Sequence, residues 1–268
     1  MKIKDWYKSN KKYFQLSELN FILKSFGIDN LAYLDDNQTL NYQQINKLEK
    51  IRDSHLKGIP LAILLSEEEF FGNIFKLNQE TLIPRPETEI LVEKAKEIIS
   101  FNNLEIILDL CTGSGNIGIS LEKLCKGKLK IYLSDIKKEA LFLAKENAIN
   151  LQSKAQAIIS DLFSGFKAGS FDLIISNPPY VESENIKGSL THEPKLALDG
   201  GRDGLRFLKK IIENGHNYLK QKGYLILEIG YNQKEKLESI INQNNKYKIQ
   251  EWIKDYANLW RGVVLQKK

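Results

Sequence analysis

The feature that most constrains this chain is the run Thr112-Gly113-Ser114-Gly115-Asn116-Ile117-Gly118, set directly after the apolar stretch Glu105-Ile106-Ile107-Leu108-Asp109-Leu110. A buried-type strand that breaks into glycines and reopens as a helix is the nucleotide-binding turn of doubly wound sheets. Glycine permits the tight turn and lets a ligand lie against bare backbone. N–H groups at the helix start can hold an anionic group. Asp135 stands 20 residues past Gly115, at the end of the next apolar run, Lys130-Ile131-Tyr132-Leu133-Ser134-Asp135. A carboxylate in that place accepts both hydrogen bonds of a ribose diol. A glycine turn that only packs helix on strand has no use for such an acid. The pattern therefore reads as a site for an adenosyl cofactor. It does not choose between NAD and S-adenosylmethionine, which offer the same ribose.

Further apolar runs at 155–159, 171–176, 223–228, 247–253 and 260–266 alternate with helix-like sequence. Alternation of this kind predicts an α/β fold, a doubly wound and mostly parallel seven-stranded sheet with its site at the strand carboxyl ends. We assign it residues 87–268, opening with an amphipathic helix over 87–99 whose acidic first turn suits a helix N-terminus. Residues 1–69 read differently, with Leu, Ile and Phe recurring at helical spacing. Leu16, Leu19, Ile22, Leu23 and Phe26 share one predicted helical face, Gly27 is placed to stop it, and Ser17 and Asn41 are candidate N-caps. This predicts a small all-α N-terminal domain. Between the two, residues 70–86 read as a linker. Phe70-Phe71-Gly72-Asn73 and the run Ile74-Phe75-Lys76-Leu77 predict a hairpin, and Pro84 and Pro86 call for extended backbone.

Composition excludes some classes. Hydrophobic residues make up 42% and charged residues 27% of 268, a globular mixture rather than a disordered one. No apolar run approaches the ~18 residues that span a bilayer, so no membrane partner is expected. The opening Met1-Lys2-Ile3-Lys4-Asp5-Trp6 lacks the apolar core of a secretory leader. Cys111 and Cys125 form no CxxC pair, which argues against a disulfide scaffold and a metal site and fits a reducing cytoplasm. The net charge of +5 permits an acidic partner without requiring one.

The chemistry is carried by Asn177-Pro178-Pro179-Tyr180, directly after the strand at 171–176. Pro179 holds Pro178 extended, and neither proline has an N–H to donate. The loop therefore offers acceptors, the Asn177 side-chain oxygen and the Pro178 carbonyl. Two acceptors facing one NH2 group grip both its hydrogens and aim the nitrogen at an incoming methyl. Tyr180 supplies an aromatic wall for a flat amide or base. An amide nitrogen is a poor nucleophile, so alignment is the main lever. Charge growing on its hydrogens is stabilised by the same acceptors. A rigid turn after a strand is the plainer reading of Asn-Pro-Pro, and it leaves the upstream loop and acid unexplained.

Together these motifs resemble class I S-adenosylmethionine-dependent methyltransferases that modify planar NH2 groups. Three further segments are similar to one family, the protein-(glutamine-N5) methyltransferases acting on peptide chain release factors. They are Leu82-Ile83-Pro84-Arg85-Pro86-Glu87-Thr88-Glu89, the run from His192-Glu193-Pro194 to Asp199-Gly200-Gly201-Arg202-Asp203-Gly204-Leu205, and Asp255-Tyr256-Ala257-Asn258-Leu259-Trp260-Arg261-Gly262-Val263. The similarity covers about residues 70–268. It implies transfer of methyl from S-adenosyl-L-methionine, with S-adenosyl-L-homocysteine as product, to the glutamine of a release factor Gly-Gly-Gln motif, tuning translation termination. It further implies cofactor contacts from Cys111, Thr112, Gly113, Ser114, Gly115, Asp135, Leu162 and Asn177. Substrate is held by Asn177, Pro178, Pro179 and Tyr180, with Asn177 and Pro178 catalytic. Release factors are the implied partners, recruited by the N-terminal helices, with no stable nucleic acid. Cys111 stands where many relatives have glycine, and Leu162 where many have an aromatic beside the adenine. Phe163 is a neighbouring ring available to compensate.

Three rival readings compete. An adenine-N6 or guanine-N2 nucleic-acid methyltransferase solves the same geometric problem, but it needs means to extrude a base, and no insertion of that size follows Tyr180. A non-catalytic RNA- or ribosome-binding module has no need of Asn177, Gly113, Gly115 and Asp135 together. A nicotinamide oxidoreductase leaves Asn177 to Tyr180 unexplained. His192 reads as structural, since the proposed transfer needs no proton carrier. Arg85, Glu87 and Glu89 are candidates to brace the pocket, Asp161 to orient its adenine side.

Overall fold

The computed structural model describes residues 1–28, 38–126 and 128–268. The part of the helical expectation that falls on 29–37 lies outside the described residues. The chain divides into two compact units, Met1–Glu67 and Glu68–Lys268.

The first unit carries helices α1 (Ile3–Asn10), α2 (Leu16–Ser25), α3 (Tyr42–His55) and α4 (Leu61–Leu65). They close on a cluster that includes Trp6, Leu19, Ile22, Leu23, Leu48 and Ile51. Each such side chain is worth roughly 1.5–3 kcal/mol when fully buried. Asn41 caps α3 as expected. Its side chain accepts from the Gln44 N–H at 2.9 Å, and the Gln44 side chain accepts from the Asn41 N–H at 2.9 Å. Ser17 is not a cap. α2 starts at Leu16, so Ser17 already lies inside the first turn, and Glu18 reaches back to the Gln15 N–H at 2.7 Å. Leu16 itself stays 61% exposed. Helical side chains lean toward the N-terminus, so the first one leans off the end of the helix.

In the second unit a hairpin, β1 (Glu67–Phe70) and β2 (Asn73–Lys76), turns on Phe71 and Gly72. Both have positive φ, 49° and 68°, the requirement of the two-residue turn that matches strand twist. Phe70 and Phe75 are buried in the same cluster as Leu91, Ile107, Leu133 and Leu173. Asn147 pins the hairpin, accepting from Lys76 N–H and donating to the carbonyls of Lys76 and Ser114. Helix α5 (Pro86–Asn102) follows. Pro86 is the first helical residue rather than part of the extended segment, because that position needs no N–H and suits the fixed φ of proline.

The sheet is built from β3 (Ile106–Leu110), β4 (Lys130–Asp135), β5 (Gln156–Ile159), β6 (Phe171–Ser176), β7 (Leu219–Glu228), β8 (Tyr247–Lys254) and β9 (Trp260–Lys267). Between them run α6 (Asn116–Leu124), α7 (Lys138–Asn150), α8 (Lys195–Leu198), α9 (Arg206–Tyr218) and α10 (Lys234–Asn244). Strand order is β5-β4-β3-β6-β7-β9-β8, parallel except for β9, which runs antiparallel to both neighbours. Alternate residues of one strand face opposite layers: Ile107 joins the cluster under α5 and α6, Leu108 the cluster under α9 and α10. The chain leaves β3 toward β4 on one side and returns to β6 on the other. That reversal opens a crevice at the carboxyl ends of β3 and β6. The Ser176 hydroxyl, donating to the Leu110 carbonyl at 2.5 Å, ties the two ends together. Among the described residues no helix is long and apolar enough to cross a membrane.

Candidate active site

Asp109 builds the glycine loop from below. Its buried carboxylate accepts from the Thr112 hydroxyl at 2.6 Å and the Gly118 N–H at 2.9 Å. Burial pushes its pKa up to about 7, and its other oxygen is buried with no hydrogen-bond partner among the described residues. Gly118 has no room for a side chain, since an added Cβ would collide with Leu133 and Ile131 of β4. Gly115 is the flanking residue of α6, with φ +84°.

Cys111 holds φ +60°, a left-handed backbone that suits glycine best. This gives a conformational reason why glycine would fit the position. Burial, then the Asp135 charge, raises the Cys111 thiol well above its ordinary range. It is packing, not a nucleophile.

Asp135 crosses to the same loop. One carboxylate oxygen accepts from the Gly113 N–H at 3.0 Å and the other from the Lys137 N–H at 2.9 Å. Each oxygen keeps a second lone pair. Desolvation raises its pKa, opposed by these backbone donors.

An open cleft of about 970 Å³, solvent at its mouth included, lies above these strand ends. It is lined by Cys111, Thr112, Gly113, Ser114, Asp135, Leu162, Asn177 and Pro179. The volume suits a nucleoside-sized ligand with room beside it. Gly115, Pro178 and Tyr180 do not line it. Gly115 sits behind the loop against Ile119 and Ala144, and Pro178 is buried. The Tyr180 ring is half-buried, its hydroxyl donating to Glu228 at 2.9 Å. Leu162 and Asp161 line the cleft side by side. Phe163 does not compensate for Leu162. It is buried in the core, stacked on Tyr218 at 4.6 Å between ring centroids.

The three motif segments converge on the Asn177–Tyr180 loop. Arg85 pairs with Glu193, whose second oxygen accepts from the Ile83 N–H at 3.0 Å. The Gln233 amide donates to the carbonyls of Tyr180 and Gly204. A Cβ on Gly204 would run into the Tyr180 carbonyl, which explains a glycine there. Arg261 pairs with Asp255 at 2.7 Å and faces Glu87 at 3.7 Å.

Several lining or supporting residues were not anticipated from sequence. Ile136 stands 51% exposed beside Asp135, an apolar surface at the cleft. Leu196, Ala197 and Phe207 line the cleft as well. Thr88 lines the cleft from the first turn of α5, and Glu228 ends β7 with 1% exposure. An acid closing an apolar strand is a local feature of Glu228, but it does not name the partners that give it a role.

Residues 86–195 match the family model described as methyltransferase small domain. A protein of Thermodesulfovibrio yellowstonii named release factor glutamine methyltransferase is 36% identical over 267 residues, covering 96% of this chain and 95% of its own length. One of the same name from Haemophilus influenzae is 38% identical over 228 residues, covering 79% and 77%. Among solved structures, a methyltransferase from Pyrococcus furiosus is similar with TM-score 0.54 at 21% identity, covering 82% of this chain and 98% of its own. At that identity the likeness bears on the fold alone.

Proposed function

The chain belongs to the release factor glutamine methyltransferase family, and on that premise we propose that it methylates the side-chain amide nitrogen of the glutamine in the Gly-Gly-Gln motif of peptide chain release factors. The methyl donor is S-adenosyl-L-methionine, and the product is S-adenosyl-L-homocysteine. The observation that carries the reading is a single cleft that holds both a ribose acceptor, Asp135, and an amide acceptor, Asn177.

The cleft fits the cofactor by the chemistry of its donors and acceptors. Asp135 has lone pairs left for two ribose hydroxyls, Ile136 and Leu162 offer apolar cover for a base, and Cys111 to Ser114 present the loop backbone. Gly115 shapes that loop from behind. When bound, the cofactor supplies an electrophilic methyl on a sulfonium. Asn177 Oδ1, in the cleft, accepts one hydrogen of the substrate NH2 group. The Pro178 carbonyl, outside the cleft lining before substrate binds, accepts the other as the amide seats on the loop. Pro179 keeps the loop rigid, and Tyr180 anchors its end through Glu228. Those acceptors hold the nitrogen in line and stabilise the positive charge that develops on it. The proton leaves to solvent after transfer, so no general base is required.

The helical unit, Met1–Glu67, recruits the release factor, since every residue named in the chemistry lies after it. The setting is the cytoplasm, where the two cysteines, both free, stay reduced. The test is incubation with labelled S-adenosylmethionine and an intact release factor, followed by mass spectrometry of the Gly-Gly-Gln peptide. One added methyl on the glutamine supports the reading. Label on nucleic acid with an unmodified peptide overturns it.

A further inference from the structure

Glu228 lies at the end of β7, buried and facing two hydroxyl groups. Its Oε2 accepts from Thr88 at 2.6 Å and its Oε1 from Tyr180 at 2.9 Å. A hydroxyl has one hydrogen to give. With that hydrogen directed at Glu228, the Thr88 oxygen can meet a third group only as an acceptor. The third group is Asn177, whose Nδ2 donates to Thr88 Oγ1 at 3.3 Å.

With Glu228 ionised, above the value of about 7 to which burial pushes it, the chain of donors and acceptors has a direction. It runs from the Asn177 amide to the Thr88 hydroxyl to the Glu228 carboxylate. Its consequence is at the free end: Asn177 Oδ1 has no hydrogen-bond partner among the described residues, in a side chain that lines the cleft. An asparagine amide is nearly symmetric in shape, so sterics alone cannot tell its oxygen from its nitrogen. Turned over, it would present NH2 to an incoming NH2 group, donor against donor.

We infer that Thr88 and Glu228 are positioning residues that select the orientation of the Asn177 amide, and through it the acceptor offered to the substrate nitrogen. The inference rests on the reading that Asn177 Oδ1 grips the substrate amide. Glu228 is fixed in turn by Tyr180, so the loop residue after Pro179 anchors the acid that orients the residue before Pro178. The device explains why a polar side chain, Thr88, is 1% exposed at the start of a helix that otherwise buries apolar residues.

The test is a double-mutant cycle in the full chain, read as single-turnover methylation of intact release factor at saturating S-adenosylmethionine. Thr88→Val removes the hydroxyl and keeps the shape. It should slow transfer about tenfold, the loss of one oriented hydrogen bond, with cofactor affinity unchanged by calorimetry. Thr88→Ser should restore most of the rate. On top of Asn177→Ala, Thr88→Val should cost nothing further, because there is no amide left to orient. Should Thr88→Val fail to fold with Glu228 short of a donor, Thr88→Ala makes the same deletion with space for a water, and the same outcomes apply. Thr88→Val at the wild-type rate overturns the inference. So do losses that multiply in the double variant, which mark a structural role independent of Asn177. A wild-type chain that leaves the release factor glutamine unmodified overturns the proposed function, and the inference with it. The two failures are thus distinct.

Discussion

Arg85 and Glu193, 108 residues apart in the chain, form an ion pair in which the glutamate side chain is only 2% exposed. It joins the proline-rich segment before α5, which lines the cleft through Leu82, Ile83 and Pro84, to the turn that leads into α8, whose Leu196 and Ala197 line it too. Removing one partner of a buried pair leaves an uncompensated charge, at a cost of about 3–5 kcal/mol. Arg85 is 31% exposed, so the lower end applies. Arg85→Ala is expected to lower the urea midpoint and weaken cofactor binding, with Arg85→Lys in between. Urea unfolding with and without S-adenosylmethionine checks this, and an unmoved midpoint contradicts it.

Asp135 gives a sharper substitution test than removal alone. Both its oxygens already hold backbone N–H groups, from Gly113 and Lys137. Asp135→Asn would turn an NH2 toward one of those donors, so asparagine is not a mild replacement here. Hydrogen bonds to a charged acceptor are worth ~1.5–3 kcal/mol each. Cofactor affinity should fall at least ~10-fold in both Asp135→Ala and Asp135→Asn. Titration calorimetry on the folded variants decides it, and wild-type affinity in either would take Asp135 out of the ribose site.

Asp109 predicts a pH dependence. Burial holds its carboxyl at about 7 in the folded chain, against the ordinary 3.8. Between those values the folded chain keeps a proton that the unfolded chain releases. Stability therefore falls as pH rises through that window and levels off above it. Glu228, also pushed up to about 7 by burial, adds a slope of the same sign. Asp109→Asn keeps an oxygen for Thr112 and Gly118 and abolishes one titration. Its melting temperature should vary less between pH 5 and pH 8 than that of wild type. An unchanged slope would show that Asp109 is ionised throughout.

A chain beginning at Glu67 keeps both hairpin strands and the whole sheet. Provided it folds, it should bind S-adenosylmethionine as the full chain does and methylate intact release factor poorly. Full activity on intact release factor would contradict a recruiting role for the helical unit.

Much of this was legible in sequence, for identifiable reasons. The strands were apolar runs bounded by breakers, and the glycine loop and Asp135 are fixed by local turn chemistry. The insertion of β9 between β7 and β8 was not read from sequence, although the continuous apolar run 262–265 suits an interior strand and the alternating Tyr247–Lys254 an edge. Ser17 failed as a cap because the helix starts two residues earlier, with Gln15 as the N-cap. Phe163 was expected near the base on proximity to Leu162, but Leu162 has φ +47°, and Phe163 is packed in the core. Thr88 and Glu228 went unnoticed because their roles exist only across 140 residues of sequence separation.

The central claim is that Asn177 accepts a hydrogen from the substrate amide and thereby aligns its nitrogen. Single-turnover methylation of intact release factor by Asn177→Ala, at saturating S-adenosylmethionine, tests it most directly. By analogy with deleting one preorganised oxyanion donor, a cost of ~3–4 kcal/mol slows transfer a few hundredfold. Asn177→Asp, which keeps an acceptor, should retain more activity than alanine. Methyl transfer by Asn177→Ala at the wild-type rate would contradict the account.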